Sequence, residues 1–313
     1  MEMRAYYRAV AVLFSLLAMA PLQASEWPLT FTNADGSTTV IARQPTRVLS
    51  TSVTVTGTLL AIDAPVVASA TDLPGRFFGQ WRDVAVERGV EKLWPAGSVD
   101  LELAYVMEPD LIVVSVTGAD SALAQFAELS AIAPTIVVDY SDKSWQALAQ
   151  RLGQATGLSD NARQTVADFD QYLLDAKANL ALPAGEANII SYHGPGIINA
   201  VAKREGAHAI LLQSLGFTLE APMPEWQTGP ISHRDFLRTH YENLTLLTAE
   251  TTFLLESSDD TIDGFVNDPV LKNLPPAQQQ QVYGLGMNSF RIDLFSATEI
   301  VEAMLVRFPR DAS

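Results

Sequence analysis

"SDNARQTVADFDQYLLDAKANLALP", residues 159–183, is the stretch on which the architecture turns. Val166, Phe169, Leu173, Ala176 and Leu180 recur at three- and four-residue spacing, which lays one apolar stripe along a helix. Ser159 or Asp160 can cap its start, and Pro183 forbids its continuation. At 1.5 Å per residue such a helix runs to roughly 35 Å, longer than most helices in a compact domain. It reads as a strut between two units.

Short β-branched runs bounded by Pro, Gly or Asp stand before the strut: Val48-Leu49-Ser50, Val66-Val67-Ala68, Leu111 to Ser115, and Ile136 to Val138. Helical patterns lie between them. After it, Ile189-Ile190-Ser191, Phe253 to Glu256 and Val282-Tyr283 read as strands, with helices over Ala207 to Leu215 and Ser296 to Phe308. The alternation predicts an α/β chain: two Rossmann-like lobes with central parallel sheets, residues 25–158 and 184–313, joined by the single long helix 159–183. No internal repeat or low-complexity tract interrupts it. Two lobes with one connection leave a crevice, and ligands collect outside the carboxyl ends of parallel strands.

Residues 1–24 read as an export signal: Arg4 and Arg8 precede an apolar stretch from Ala9 to Ala20, and Leu22-Gln23-Ala24 offers a small-residue cleavage site. That apolar run is too short to span a bilayer, which takes ~20 apolar residues. Cysteine is absent, so the chain has no disulfide, thiolate metal site, thiol nucleophile or lipid-anchoring cysteine. Together these features predict a protein free in a Gram-negative periplasm, most simply a monomer. The formal charge is −16 and becomes one unit more negative once Arg4, Arg8 and Glu2 leave with the signal. Nucleic acid is disfavoured as a partner, because duplex binding needs a basic footprint. An anionic ligand requires positive charge gathered locally, against the field of the whole molecule.

The run "STSVTVTGTLLAID", residues 50–63, raises the question of an enzyme. A serine hydrolase needs a nucleophile elbow such as G-x-S-x-G, and a phosphate loop needs G-x-x-x-x-G-K-[ST]; neither occurs. Here Thr54 or Thr56 can cap a helix, Leu59 to Ile62 can pack its buried face, and the remaining hydroxyls, Thr51 and Ser52 among them, would line the crevice. An exported hydrolase stays a distant alternative to a binding protein.

"LSTSVTVTGTLLAIDAPVVASA", "VSVTGADSALAQFAELSAIAPTIVVDYSDKSWQALAQRLGQATG", "LLQSLGFTL" and "QVYGLGMNSFRIDLFSA" resemble the periplasmic ferric-siderophore-binding proteins of ABC importers, the ferric-enterobactin binders in particular. The similarity runs over most of the chain and is weakest at about 192–204 and 221–238. What it implies is two α/β lobes on a rigid helix, no enzymatic activity, no cofactor, and delivery of a ferric catecholate to an inner-membrane ABC permease. The iron would be held by the siderophore, with no metal site in the protein.

A ferric tris-catecholate is anionic and presents flat aromatic faces, which suits arginine. Arg291 in "GMNSFRIDLFSA" is placed by the resemblance at a ligand-meeting arginine; it reads otherwise as a surface partner of Asp293. Arg76 in "DLPGRFFGQW" matches a second such arginine less securely, with Phe77, Phe78 and Trp81 as crevice wall or core. Where the resembling sequences offer a second-lobe tryptophan, this chain has Ala202 followed by Lys203 and Arg204, and Trp226 appears in "MPEWQTG" instead. Trp226 is either a stacking platform or a loop anchor; Lys203 and Arg204 either charge the rim or form a solvated turn. In "SDKSW", Lys143 and Trp145 are ligand candidates, though Trp145 equally opens a helix as its first buried residue. For docking, the resemblance points to Glu102 in "DLELAYVMEPDL" and, one methylene shorter than expected, Asp235 in "ISHRDFL". All four histidines lie in the second half, which disfavours a bare zinc site shared between lobes. Haem, with Tyr192 or His193 as nominal ligand, cobalamin and a hydroxamate siderophore remain alternatives.

Overall fold

The computed structural model describes residues 27–141, 144–229 and 234–310. An antiparallel pair, β1 (Leu29–Thr32) and β2 (Thr38–Ile41), precedes the first lobe. That lobe runs β3 (Val48–Ser50), α1 (Val53–Ala61), β4 (Val66–Thr71), α2 (Gly79–Glu87), β5 (Glu91–Pro95), α3 (Leu101–Val106), β6 (Leu111–Ser115), α4 (Phe126–Ser130), β7 (Thr135–Val138) and α5 (Trp145–Thr156). Helix α6 (Ser159–Ala178) follows. Beyond it come β8 (Glu186–Ser191), β9 (Asn199–Ala202), α7 (Ala207–Leu215), β10 (Thr218–Leu219), β11 (Phe236–Thr239), β12 (Thr251–Leu254), α8 (Asp263–Val266), α9 (Pro275–Gln278), β13 (Val282–Gly284) and α10 (Leu294–Arg307).

The first sheet is wholly parallel in the order β5-β4-β3-β6-β7. Its chain winds outward from β3 in one direction and then returns to the other side. The carboxyl ends of β3 and β6 are therefore the switch point where an open sheet receives a ligand. All residues of β3, β6 and β7 are buried, as expected for strands covered on both faces.

The second sheet departs from simple alternation. Its order is β11-β9-β8-β12-β13, with β8, β12 and β13 parallel, β9 antiparallel to β8, and β11 antiparallel to β9. The connection from Tyr192 to Ile198, with Gly194-Pro195-Gly196 at its centre, is too short for a crossover helix, so the chain turns straight back. Strand β12 ends at Leu254 rather than at Glu256, because Glu256 takes a left-handed backbone with φ of 49°.

Helix α6 starts at Ser159 behind Leu158, which has no side-chain cap, so neither Ser159 nor Asp160 serves as the cap residue. Its 20 residues span about 30 Å at 1.5 Å each. It stops at Ala178, ahead of the proline expected to end it. The C-terminal segment takes the backbone there: Ala181 N–H donates to the Phe308 carbonyl at 2.9 Å, and Arg310 Nη2 donates to the Leu180 carbonyl at 2.9 Å. Ala162, Phe169, Leu173 and Ala176 are buried on the helix, and Leu180 just beyond it. Phe169 meets Trp145 of α5 edge-on, at 5.2 Å between ring centroids. One continuous core runs from Val48 and Leu59 through this stripe to Ile189, Phe253 and Val301 of the second lobe. Each fully buried Leu, Val or Phe adds about 1.5–3 kcal/mol, so the stripe ties both lobes to the strut.

The lobes also meet directly, where α10 packs on α1 and α2. Asp293 caps α10, accepting from Ser296 N–H at 3.0 Å, and lies against Gly57 in the middle of α1. Asn288 lies likewise against Gly79, the first residue of α2. A methyl group on Gly57 would come within 2.3 Å of Asp293 Oδ2 and 2.8 Å of the Trp81 ring; one on Gly79 would come within 2.3 Å of Asn288 Oδ1. The two glycines are notches of the first lobe that receive polar side chains of the second. Gly57→Ala should destabilise the protein by about 1–3 kcal/mol through overpacking, measured by urea denaturation, despite alanine's better helix propensity. A stabilised variant would show that the notch is not tight.

Candidate functional site

Between the lobes lies an open crevice lined by Asp72, Arg76, Phe77, Phe78, Gln80 and Arg82 from the first, and by Glu256, Met287, Asn288, Phe290 and Arg291 from the second. Three arginines thus converge in a molecule of formal charge −16. The two lobes contribute unequally: Arg76 and Arg82 stand on one wall, Arg291 on the other. Arg76 is exposed and pairs with Asp72 at 3.5 Å, while Arg82 pairs with Asp83 at 3.3 Å. Exposed pairs of this kind contribute little, so both guanidiniums can exchange partners at small cost.

Arg291 is held differently. Its guanidinium lies 4.5 Å from the ring centre of Phe290 and 5.5 Å from that of Tyr140, and the second contact crosses from one lobe to the other. Its Nε is buried and has no hydrogen-bond partner among the described residues. A guanidinium sandwiched by rings keeps its charge and its remaining N–H groups for a third party. It borders the open crevice and also an inner recess lined by Thr54, Thr58, Tyr140, Trp145, His208 and Asp235.

Tyr140 is itself fixed from below. Its hydroxyl donates to Asp120 Oδ1 at 2.8 Å, and Asp120 Oδ2 accepts from Ser52 Oγ at 2.5 Å and Thr54 N–H at 3.1 Å. Burial first, and then the Asp120 charge, push the Tyr140 hydroxyl well above the usual phenol range, so it remains a protonated donor. His208, buried, directs Nε2 at the Ser289 carbonyl at 2.7 Å and packs edge-on against Phe236. Because a carbonyl only accepts, Nε2 carries the proton; burial lowers the pKa to about 4, and the ring is neutral near pH 7.

Several expectations are corrected by this geometry. Thr51 and Ser52 do not line the crevice: both are buried, Thr51 Oγ1 donates to the Val113 carbonyl, and Ser52 caps α1 while donating to Asp120. The cap of α1 is Ser52, not Thr54 or Thr56. Thr56 Oγ1 instead bonds Ser69 Oγ at 2.6 Å, so the hydroxyl-rich run is mostly an internal polar network, with Thr54 and Thr58 alone reaching the recess. Trp226 is packed among Val201, Leu237 and Tyr241 in a second-lobe core, so it anchors a loop and offers no stacking face. Arg204 donates to the Leu219 carbonyl and pairs with Glu186 at 3.4 Å, at the amino end of β8 and remote from the crevice. Lys203 begins the turn closed by Gly206 N–H on its carbonyl.

Trp145 does border the recess, but as the buried first residue of α5. Asp235 borders it too, and its Oδ1 accepts from Ala207 N–H at the start of α7 at 3.0 Å, so one oxygen of its carboxylate is committed within the fold. Glu102 is exposed in the first turn of α3. Lys143, residues 1–24 and His233 lie outside the described residues. Of the haem candidates, Tyr192 donates to Asp268 Oδ2 at 2.9 Å, and His193 bonds Ser191 Oγ at 3.0 Å. No group of three or more His, Asp or Glu converges as a metal site among the described residues.

Sequence reasoning missed Arg82, Tyr140, Phe290 and Glu256. Arg82 next to Asp83 looks like an ordinary charged pair on a helix, and Glu256 like the end of a strand. Phe290 had a signal, since it adjoins Arg291. A separate hollow beside the β1–β2 pair is lined by Asn33, Asp139 and Arg151, but Arg151 bonds the Thr32 carbonyl and sits 4.3 Å over Phe31.

Comparison with known proteins gives a consistent picture. The periplasmic binding protein family profile matches residues 50–288. The ferric enterobactin-binding periplasmic protein FepB of Escherichia coli O6:H1 (strain CFT073) is 38% identical over 321 residues, covering 98% of this chain and 100% of that protein. The crystal structure of holo-ViuP superposes with a TM-score of 0.89 at 62% identity, covering 91% of this chain and 97% of the other. The triscatecholate siderophore binding protein FeuA of Bacillus subtilis, complexed with ferri-bacillibactin, shares the fold at 18% identity and a TM-score of 0.67, covering 88% and 96%.

The contact between the lobes carries a titratable group. Asp293, 2% exposed, has its carboxyl pushed up from 3.8 to about 6, chiefly by burial, against the opposing bonds from Ser296 and Gln80. A raised carboxyl pKa means that the folded state favours the proton. The resulting penalty on stability is absent below about pH 4, grows between 4 and 6, and is complete above 6. Asp293→Asn should therefore stabilise the protein by about 1–3 kcal/mol at pH 7.5 and by little at pH 4. Urea denaturation at both values tests this, and a difference independent of pH would contradict it.

Proposed function

The chain belongs to the periplasmic binding protein family, and on that premise we propose that it captures a ferric catecholate siderophore between its lobes for an inner-membrane ABC importer. The carrying observation is the interlobe crevice, where Arg76, Arg82 and Arg291 gather positive charge inside an acidic protein. A small anion needs two or three charged donors; a ferric tris-catecholate also needs faces on which its rings can rest. Phe78 and Phe290 supply apolar and aromatic walls, with Phe77 buried in the core, and Arg291 itself can stack. The family is one of binding proteins and not of enzymes.

The lobe junction supports a mechanism of limited closure. A 20-residue helix buried along one stripe, with two side chains seated in glycine notches, resists the wide rotation that flexible crossing strands permit. Recognition then rests on a largely preformed crevice. Glu102, exposed and acidic at the start of α3, is the candidate for meeting a basic permease surface. Residues 1–24 would direct export to the periplasm; we take the protein to act as a monomer.

Arg291→Ala should weaken binding of ferric enterobactin by about 2 kcal/mol, roughly thirtyfold, because charge-assisted hydrogen bonds to a desolvated anion contribute about 1.5–3 kcal/mol each. Quenching of intrinsic tryptophan fluorescence reads it, with Trp145 beside the recess as reporter. Unchanged affinity would remove Arg291 from the site. Saturable quenching by haem or cobalamin, and none by ferric catecholates, would replace the ligand class.

A further inference from the structure

Glu256 is out of place in an anion-binding crevice. It is an exposed acid on the same walls as Arg76, Arg82 and Arg291, and its carboxylate makes no hydrogen bond or ion pair with any described residue. No neighbouring cation pairs with it: Arg76 pairs with Asp72, Arg82 with Asp83, and Arg291 rests on the rings of Phe290 and Tyr140. A carboxylate facing a bound trianion is repulsive, and a low-dielectric crevice strengthens the repulsion.

The backbone makes the placement more pointed. Glu256 has φ of 49°, the left-handed region that glycine enters freely and other residues avoid. The surrounding turn enforces it. Glu256 N–H donates to Ser289 Oγ at 2.9 Å, Gly286 N–H donates to the Ser257 carbonyl at 2.8 Å, and Gly284 N–H donates to Asp259 Oδ1 at 2.8 Å. Any side chain at Gly284 would strike the Ser257 carbonyl, so the two segments interlock without slack. Segment 256–258 is thus clamped to the segment that carries Met287, Phe290 and Arg291. A glycine at 256 would satisfy the turn with less strain. What glutamate adds there is a carboxylate held at a fixed place on the crevice wall.

We infer that Glu256 is a specificity-determining residue that reads an N–H donor, an ammonium in its strongest form, on the organic backbone of the ferric chelate. This rests on the siderophore reading and deepens it. Arginines take the catecholate oxygens; Glu256 takes the one part of such a ligand that carries positive rather than negative potential. Chelates that turn a bare anionic face toward Glu256 itself are repelled by it, so one residue both attracts the right ligand and rejects its competitors.

Two synthetic ferric tris-catecholates with the same chelating core test this, one with an ammonium-terminated backbone arm and one with a methoxy-terminated arm. Fluorescence quenching at low ionic strength should show the wild-type protein binding the ammonium form at least about tenfold more tightly, the scale of one charge-assisted pair. Glu256→Gln should weaken the ammonium form about tenfold and tighten the methoxy form several-fold, collapsing the preference. Glu256→Gly should do the same while raising the midpoint of thermal unfolding, since it relieves the left-handed residue. Equal wild-type affinities, or a preference that survives Glu256→Gln, would overturn the assignment while leaving the siderophore reading intact. If neither chelate quenched the wild-type protein, the siderophore reading itself would fall, and this inference with it.

Discussion

The arrangement of the whole molecule depends on how two polar side chains of the second lobe sit in gaps left by two glycines of the first. Asp293 against Gly57 and Asn288 against Gly79 bring α10 onto α1 and α2 at a separation that a single methyl group would prevent. The stripe of α6 fixes the lobes at one end, and these notches fix them near the crevice. Between them the spacing of the crevice walls is set by packing, with Arg76 and Arg291 on the segments that lead into α2 and α10 and Arg82 on α2 itself. A preformed separation between cations is what a rigid, highly charged chelate requires.

Positive charge in this crevice is assembled against the sign of the protein, and the structure shows how each cation is kept usable. Arg76, itself exposed, rests on the half-buried Asp72, and Arg82 rests on the exposed Asp83 that solvent screens. Arg291 rests on rings, which attract the charge without consuming donors. Tyr140 completes the arrangement, because its hydroxyl is anchored on Asp120 and its face is thereby turned to Arg291 across the lobe boundary. Glu256 is the local exception, held in place by backbone bonds instead of by an ionic partner.

Much of the fold was legible because period and length speak plainly in this sequence. The stripe from Val166 to Leu180 marked α6, and the buried runs at 48–50 and 111–115 marked the central strands. The second-lobe reversal was less visible, since β9 is four residues long and only the glycines near 194–196 hint at a turn. The site was legible in part. Arg76 and Arg291 lie in distinctive local sequences, whereas Arg82 owes its position to the direction in which α2 leaves its first turn. The hydroxyl-rich run misled for a physical reason: Ser and Thr at a parallel-strand end are as suited to capping and internal bonding as to lining a cavity. Trp226 misled likewise, because a tryptophan in a loop is either a platform or an anchor and only the neighbours at Val201 and Leu237 decide which.

The unbroken core from Val48 to Val301 makes the folding of each lobe depend on the other. Each half has a smaller apolar cluster of its own, but the core that α6 joins is shared: its buried face serves both lobes, and the chain just beyond its far end bonds Phe308 and Arg310. Residues that follow α10 are thus needed to finish the chain leaving α6, ahead of β8. With one apolar interior spanning both lobes, the two are coupled in folding as well as in position.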